Sequence, residues 1–172
     1  MNILYTSQEQ VQVYKFSLPI SVGLPLGAIF VQSFVSHYFT WLAIFDLPLL
    51  VTVFFAVARR DPISGLTTGG LIGIVQDSLT SHPIGLFGIA KTVVGFLASS
   101  MGVKLDVENP GSRIIICFGF FLLHQAIYVL VTRGLVGTAE SLAWSKLFLG
   151  AFANAFMSVP LFAVLDRFKI RS

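Results

Sequence analysis

Charge is what this chain has least of. Only 11% of its 172 residues are Asp, Glu, Lys or Arg, against about 25% in an average soluble domain. Hydrophobic residues make up 55%. A water-soluble domain of this size has no interior large enough to hide so much apolar surface, so the composition reads as an integral membrane protein. Cysteine is nearly missing as well. Cys117 stands alone inside an apolar segment, which excludes an intramolecular disulfide and leaves no sign of redox compartment. A long soluble loop is also lacking, so residues 1–172 read as a single membrane domain with no separate catalytic unit. There is no phosphate-binding loop, no zinc-ligand spacing, and no serine–histidine or cysteine–histidine arrangement above chance. The start of the chain is polar, contains Glu9 and has no basic run before its first apolar stretch. That argues against a removable signal peptide and makes the first membrane helix the targeting signal.

The formal charge is +3, but the basic residues cluster at the ends of apolar segments. That is the pattern of membrane topology rather than of a nucleic-acid face.

What is present is a set of apolar runs. A spanning helix needs about 20 mostly apolar residues. Six candidates occur, at about 16–34, 42–58, 62–80, 84–103, 114–132 and 145–165. The first carries Pro19 and Pro25, and the third is the least apolar. His37 to Trp41 supplies aromatic residues suited to a headgroup interface. The longest polar connection is 104–113. With the first end cytoplasmic, Lys15, Arg59, Arg60, Lys104, Arg113, Arg167, Lys169 and Arg171 share one side, leaving Arg133 and Lys146 on the other. The expected fold class is therefore an all-α membrane protein, a six-helix bundle with both termini cytoplasmic.

The stretch 45–99 organises the chain. Three apolar segments are joined by two short turns, Arg59-Arg60-Asp61-Pro62 and Ser81-His82-Pro83. The middle segment carries Gly65, Gly69 and Gly73 at steps of four, and Asp77 continues the series. An i, i+4 series lies on one side of a helix. The next segment has Gly88, Thr92, Gly95 and Ser99 at helical spacing, with Lys91 on the same side. Small residues let helix backbones approach closely in lipid. The expectation is a tight hairpin with Asp77 and Lys91 both facing protein.

Ionisable groups inside a membrane cost about 2.5–3.5 kcal/mol each on insertion scales, so each calls for a reason. Asp77 and Lys91 read as a buried ion pair that fixes the hairpin, or as a pair that senses a partner or substrate. Asp46 suits a helix N-cap. Arg59 and Arg60 suit a helix C-terminus and anionic lipid, with a cytoplasmic partner as the other reading. His124, Gln125, Tyr128 and Asn154 read as interhelical hydrogen bonding, with a proton relay as the sharper alternative. An aspartyl protease would need Asp46 and Asp77 to meet and share a proton. Neither has flanking residues that demand it.

One resemblance follows from these residues. Asp46-Leu47-Pro48-Leu49-Leu50, Arg59-Arg60-Asp61-Pro62, the glycines 65, 69 and 73, Gly73-Ile74-Val75-Gln76-Asp77-Ser78 and Pro83-Ile84-Gly85-Leu86 together resemble the bacterial rod shape-determining protein MreD family. The resemblance covers roughly a third of the chain, with isoleucine at two places where the family pattern has leucine. Lys91 has no counterpart in that pattern. The resemblance implies a non-enzymatic inner-membrane scaffold of the cell-elongation machinery, without cofactor or metal. It implies a bitopic partner, MreC, and through it MreB filaments and the RodA–transpeptidase synthase. The family is also similar in fold to the substrate-binding subunits of energy-coupling-factor vitamin transporters. A vitamin-binding subunit is accordingly the rival reading. It would need a solvent-open pocket with several polar groups on the outer side, where the short loops offer few.

Overall fold

The computed structural model describes residues 14–80, 83–102, 109–137 and 143–171. Six α-helices carry the fold among these residues: α1 (Leu18–Tyr38), α2 (Leu47–Arg59), α3 (Pro62–Leu79), α4 (Leu86–Gly102), α5 (Pro110–Val131) and α6 (Trp144–Leu165). Two two-residue strands, β1 (Tyr14–Lys15) and β2 (Ile170–Arg171), pair antiparallel. Ser81 and His82 of the expected second turn, residues 104–108 of the polar connection, and Glu140 lie outside the described residues, as does residue 9.

Three stretches are long and apolar enough to cross a membrane: Trp41–Arg59, Pro110–Gly134 and Trp144–Phe168. Leu18–Phe34 and Leu86–Gly102 are apolar but shorter. α3 falls in neither group, in line with its low apolar content.

α2 is the axis of the bundle. Every residue from Pro48 to Ala58 is buried. Its sequence, LPLLVTVFFAVAR, is apolar all round, and such a helix belongs in a core. Its one polar interior side chain, Thr52, donates its hydroxyl back to the Pro48 carbonyl at 2.8 Å, a local bond that hides the hydroxyl. Phe54 and Phe55 meet Phe16, and Phe54 also meets Phe162, in edge-on contacts. The outer helices show the reverse pattern. Phe148, Phe152 and Phe156 stand exposed along one face of α6, and Ile115 and Leu130 along α5.

The helix ends follow local chemistry. Arg60 takes a left-handed conformation (φ 56°) as the C-cap of α2. Asp61 then caps α3 by accepting from the Ile63 and Ser64 amides, and Pro62 fills the first turn, where its missing N–H costs nothing. Two residues therefore suffice to reverse the chain.

α5 begins at Pro110, four residues earlier than the apolar run alone indicates. Asn109 accepts from the Gly111 amide, and Pro110 is again a helix-start proline. Asn-Pro-Gly is part of the helix entry here, not the end of a loop. Arg113 thus lies on the helix and binds Asp166 at 2.7 Å. Lys169 binds the same carboxylate at 2.6 Å and lies over the Tyr14 ring. This cluster ties the end of α6 to the start of α5 and to β1. It closes the bundle where residues 14–15 meet 170–171.

The second apolar run does not form one helix. Thr40–Ile44 is a short 3-10 turn, and α2 starts only at Leu47. Proline at position 48 explains the break. It has no amide to give to the Ile44 carbonyl, and the residue before a proline disfavours the helical region.

Candidate functional site

The break before α2 builds the centre of the molecule. Asp46 caps α2, its Oδ1 accepting from the Leu49 amide at 2.9 Å. The break also leaves the Ile44 carbonyl and the Asp46 amide without helical partners. Asn154 of α6 satisfies both. Its Nδ2 donates to the Ile44 carbonyl at 2.9 Å, and its Oδ1 accepts from the Asp46 amide at 2.8 Å. Nδ2 also donates to the Gly150 carbonyl at 2.9 Å. One amide side chain thus splices a broken helix from outside it. Replacing Asn154 with leucine strands two buried backbone groups, at about 1–3 kcal/mol each. The expected result is a clear fall in melting temperature in detergent, with Asn154→Gln partly retaining stability.

Lys91 reaches the same place from α4. Its side chain is fully buried, and Nζ lies 2.9 Å from Asp46 Oδ2. Nζ also lies 3.3 Å from His124 Nε2. An ammonium only donates, so this contact uses the Nε2 lone pair and needs a neutral imidazole. Phe87 presents its ring face to the ammonium, with Nζ 4.8 Å from the centroid, a cation–π contact. Phe87 in turn stacks on His124 and on Tyr128, one turn apart on α5. The ammonium therefore has an acid, an imidazole and an aromatic face around it. Asp46, Lys91, His124 and Asn154 join α2, α4, α5 and α6.

A direct Asp77–Lys91 pair does not form. Both oxygens of Asp77 are taken. Oδ2 accepts from the Gly85 amide at 2.8 Å and the Gly88 amide at 3.1 Å, and Oδ1 accepts from the Phe87 amide at 3.0 Å. These are the free N–H groups at the start of α4, where a carboxylate is well placed. Gly85 makes the approach possible, with φ of +107°. Both residues do face protein: Asp77 and Lys91 each have 0% relative exposure. Their roles divide, with Asp77 fastening the α3–α4 turn and Lys91 fastening α4 to α2 and α5. Asp46 and Asp77 have separate partners and share none of these bonds. Replacing Asp77 with alanine removes all three bonds, and loss of an N-cap alone costs about 1 kcal/mol. The expected loss is larger than for Asp77→Asn, read from the same melting curves.

The glycines set how closely α3 and α4 approach. A methyl group at Gly65 would run into the Gly95 carbonyl and the Ser99 hydroxyl. At Gly69 it would meet the Lys91 carbonyl, and at Gly73 the Phe87 carbonyl and the Gly88 backbone. This near-contact of backbones carries Lys91 inward.

Beside this centre lies an open cavity of about 920 Å³, at the end of the bundle away from β1 and β2. Polar side chains reach it from several helices: Gln32 of α1, Gln76 of α3 with Thr80 at its C-cap, Gln125 of α5 and Lys146 in the first turn of α6. Gln76 is 5% exposed, and its Oε1 has no hydrogen-bond partner. The sequence expectation counted the short loops, whereas these groups sit on helices. The aromatic wall of the cavity includes Trp41, Phe87 and Phe121.

Arg59 points to the opposite end. Its guanidinium donates to Ser21, Ser64 and Thr68 hydroxyls at 2.6, 3.1 and 3.3 Å, and lies over the Phe16 and Phe55 rings. Arg60, by contrast, serves through its backbone as the α2 C-cap. No group of His, Cys, Asp and Glu among the described residues is arranged to hold a metal ion.

Comparison with protein-family models, with curated proteins and with solved structures finds no match to this chain.

Proposed function

We propose that this chain is a multi-pass scaffold of the bacterial inner membrane, of the MreD kind, acting in the cell-elongation machinery. It crosses the bilayer six times with both termini cytoplasmic, in a bundle of the type found in energy-coupling-factor substrate-binding subunits. One observation carries the reading: the motif residues are spent on architecture. Asp46 caps α2 and pairs with Lys91, Arg60 to Pro62 turn the chain, Gly65, Gly69 and Gly73 seat α4, and Asp77 caps it. With these motif groups committed inward, the chain acts through its apolar exterior, by binding other membrane segments. The pairing of residues 14–15 with 170–171 supports an even number of crossings.

The partner is an MreC-type single-span protein, through which MreB filaments couple to the peptidoglycan synthase. Co-expression with such a protein will give a complex that survives detergent purification. Depletion in rod-shaped cells will widen and round them. Unchanged width and no co-purification overturn the reading.

The cavity beside Asp46 favours a second reading, a vitamin-type substrate-binding subunit. Its volume lies within the usual range for ligand sites, about 300–1,000 Å³, and Gln76 Oε1 awaits a donor. Saturable binding of a radiolabelled vitamin to the purified protein, lost in Gln76→Leu, would favour this reading over the scaffold.

A further inference from the structure

A second cavity, of about 710 Å³, opens between α1 and α3 at the end where residues 14–15 meet 170–171. Its long wall is apolar, formed by Val22 and Leu26 of α1 and Leu71 and Val75 of α3. Leu71, Val22 and Leu26 are exposed rather than packed. Its mouth carries two cations, Lys15 and Arg59, and one acid, Asp61, which leaves an excess of positive charge.

Arg59 differs from the buried cations of the bundle. Arg113, Lys91 and Lys169 each bind a carboxylate. Arg59 binds three neutral hydroxyls, and no carboxylate among the described residues pairs with it. The nearest acid in sequence, Asp61, accepts the Ile63 and Ser64 amides as the α3 cap. A guanidinium has five N–H donors in a rigid fork. Three are used here, so the group is held in place by Ser21, Ser64, Thr68 and two aromatic rings with donors to spare. Arginine in this state suits the oxygens of a phosphate.

We propose that this groove is a binding site for one anionic phospholipid. The headgroup phosphate lies against Arg59 and Lys15, and an acyl chain runs along Val22, Leu26, Leu71 and Val75. A small soluble anion would use only the mouth, and a neutral lipid only the wall. An anionic phospholipid uses both. The lipid would fill the seam between α1 and α3. The site is separate from the cavity beside Asp46 and does not depend on the scaffold reading.

The test is native mass spectrometry of the delipidated full-length protein, titrated with phosphatidylglycerol and with phosphatidylcholine. One phosphatidylglycerol is expected to bind about thirtyfold more tightly than phosphatidylcholine, the factor that follows from about 1 kcal/mol for each of the two basic residues at an anionic headgroup. Arg59→Gln is expected to cut that preference to about fivefold, the share left to Lys15. Leu71→Trp, which fills the groove and leaves the charges alone, is expected to weaken binding with an unchanged melting curve. Should Arg59→Gln fail to fold, Lys15→Gln reports on the same preference. Equal binding of the two lipids by the wild type overturns the proposal. So does an undiminished preference in the charge variant, or normal binding by Leu71→Trp. Displacement of the lipid by an equal concentration of inorganic phosphate would mark a free-anion site and also overturn it.

Discussion

Replacing Lys91 with methionine will destabilise this protein by about 3–5 kcal/mol, because it leaves the Asp46 carboxylate buried without its counter-charge. The cost arises from asymmetry. Asp46 Oδ2 faces Nζ at 2.9 Å, and the Asp46 side chain is only 15% exposed, at the edge of the open cavity. Removing both charges is a different matter, since a buried ion pair often contributes little net stability over an apolar substitute. The double variant Asp46→Asn, Lys91→Met should therefore recover most of the loss. Asparagine is the right replacement, because it caps a helix as well as aspartate does. The bond from the Leu49 amide then survives, and only the pairing is tested. A double-mutant cycle adds a second discrimination. Residues in one network couple by about 0.5–3 kcal/mol, whereas separate sites add within about 0.5 kcal/mol. Lys91 should couple strongly to Asp46 and weakly to Asp77. Chemical unfolding in mixed micelles measures both, and strong Asp77 coupling with none to Asp46 would refute the arrangement.

The second large effect is at Gly69. A Cβ there would overlap the carbonyl of Lys91, with the carbonyl carbon at 2.8 Å. The obstacle is backbone, so no rotamer change relieves it. Gly69→Ala will separate α3 from α4, costing about 1–3 kcal/mol as overpacking does, and Gly69→Leu will cost more. The displacement also draws Lys91 away from Asp46, so the two lesions should overlap rather than add. Gly27 is the control. Nothing lies within 4 Å of a Cβ built there, and alanine is the better helix former by about 1 kcal/mol. Gly27→Ala should melt at or above the wild-type temperature. If Gly69→Ala behaves the same way, the close α3–α4 contact is wrong.

Much of the fold could be read from the apolar runs. Each of the six stretches holds one α-helix, although the second is broken before Leu47, because apolar runs of this length leave little choice of structure. The glycine series located the closest helix contact, since small residues at steps of four have a geometric meaning before any neighbour is known. Partner choice was harder. Lys91 and Asp77 lie close in sequence and on compatible faces, which favours pairing them. What decides otherwise is the turn between them, where Gly85 aims three amides at Asp77. The clue was there, in an aspartate a few residues ahead of Pro83-Ile84-Gly85. Asn154 and Asp46 are more than a hundred residues apart. Only Pro48, by breaking the run, hinted that something distant must supply the missing hydrogen bonds. The cavity left no signal in the loops, because the glutamines that line it belong to different helices.

The antiparallel contact of residues 14–15 with 170–171 has a consequence for biosynthesis. The chain emerges from the ribosome in order, so the early segment must wait, unlatched, until every helix has been made. Until then Tyr14 lacks the Lys169 ammonium over its ring, and Arg113 lacks Asp166. A nascent chain stalled before residue 166 is therefore a bundle with its clasp undone.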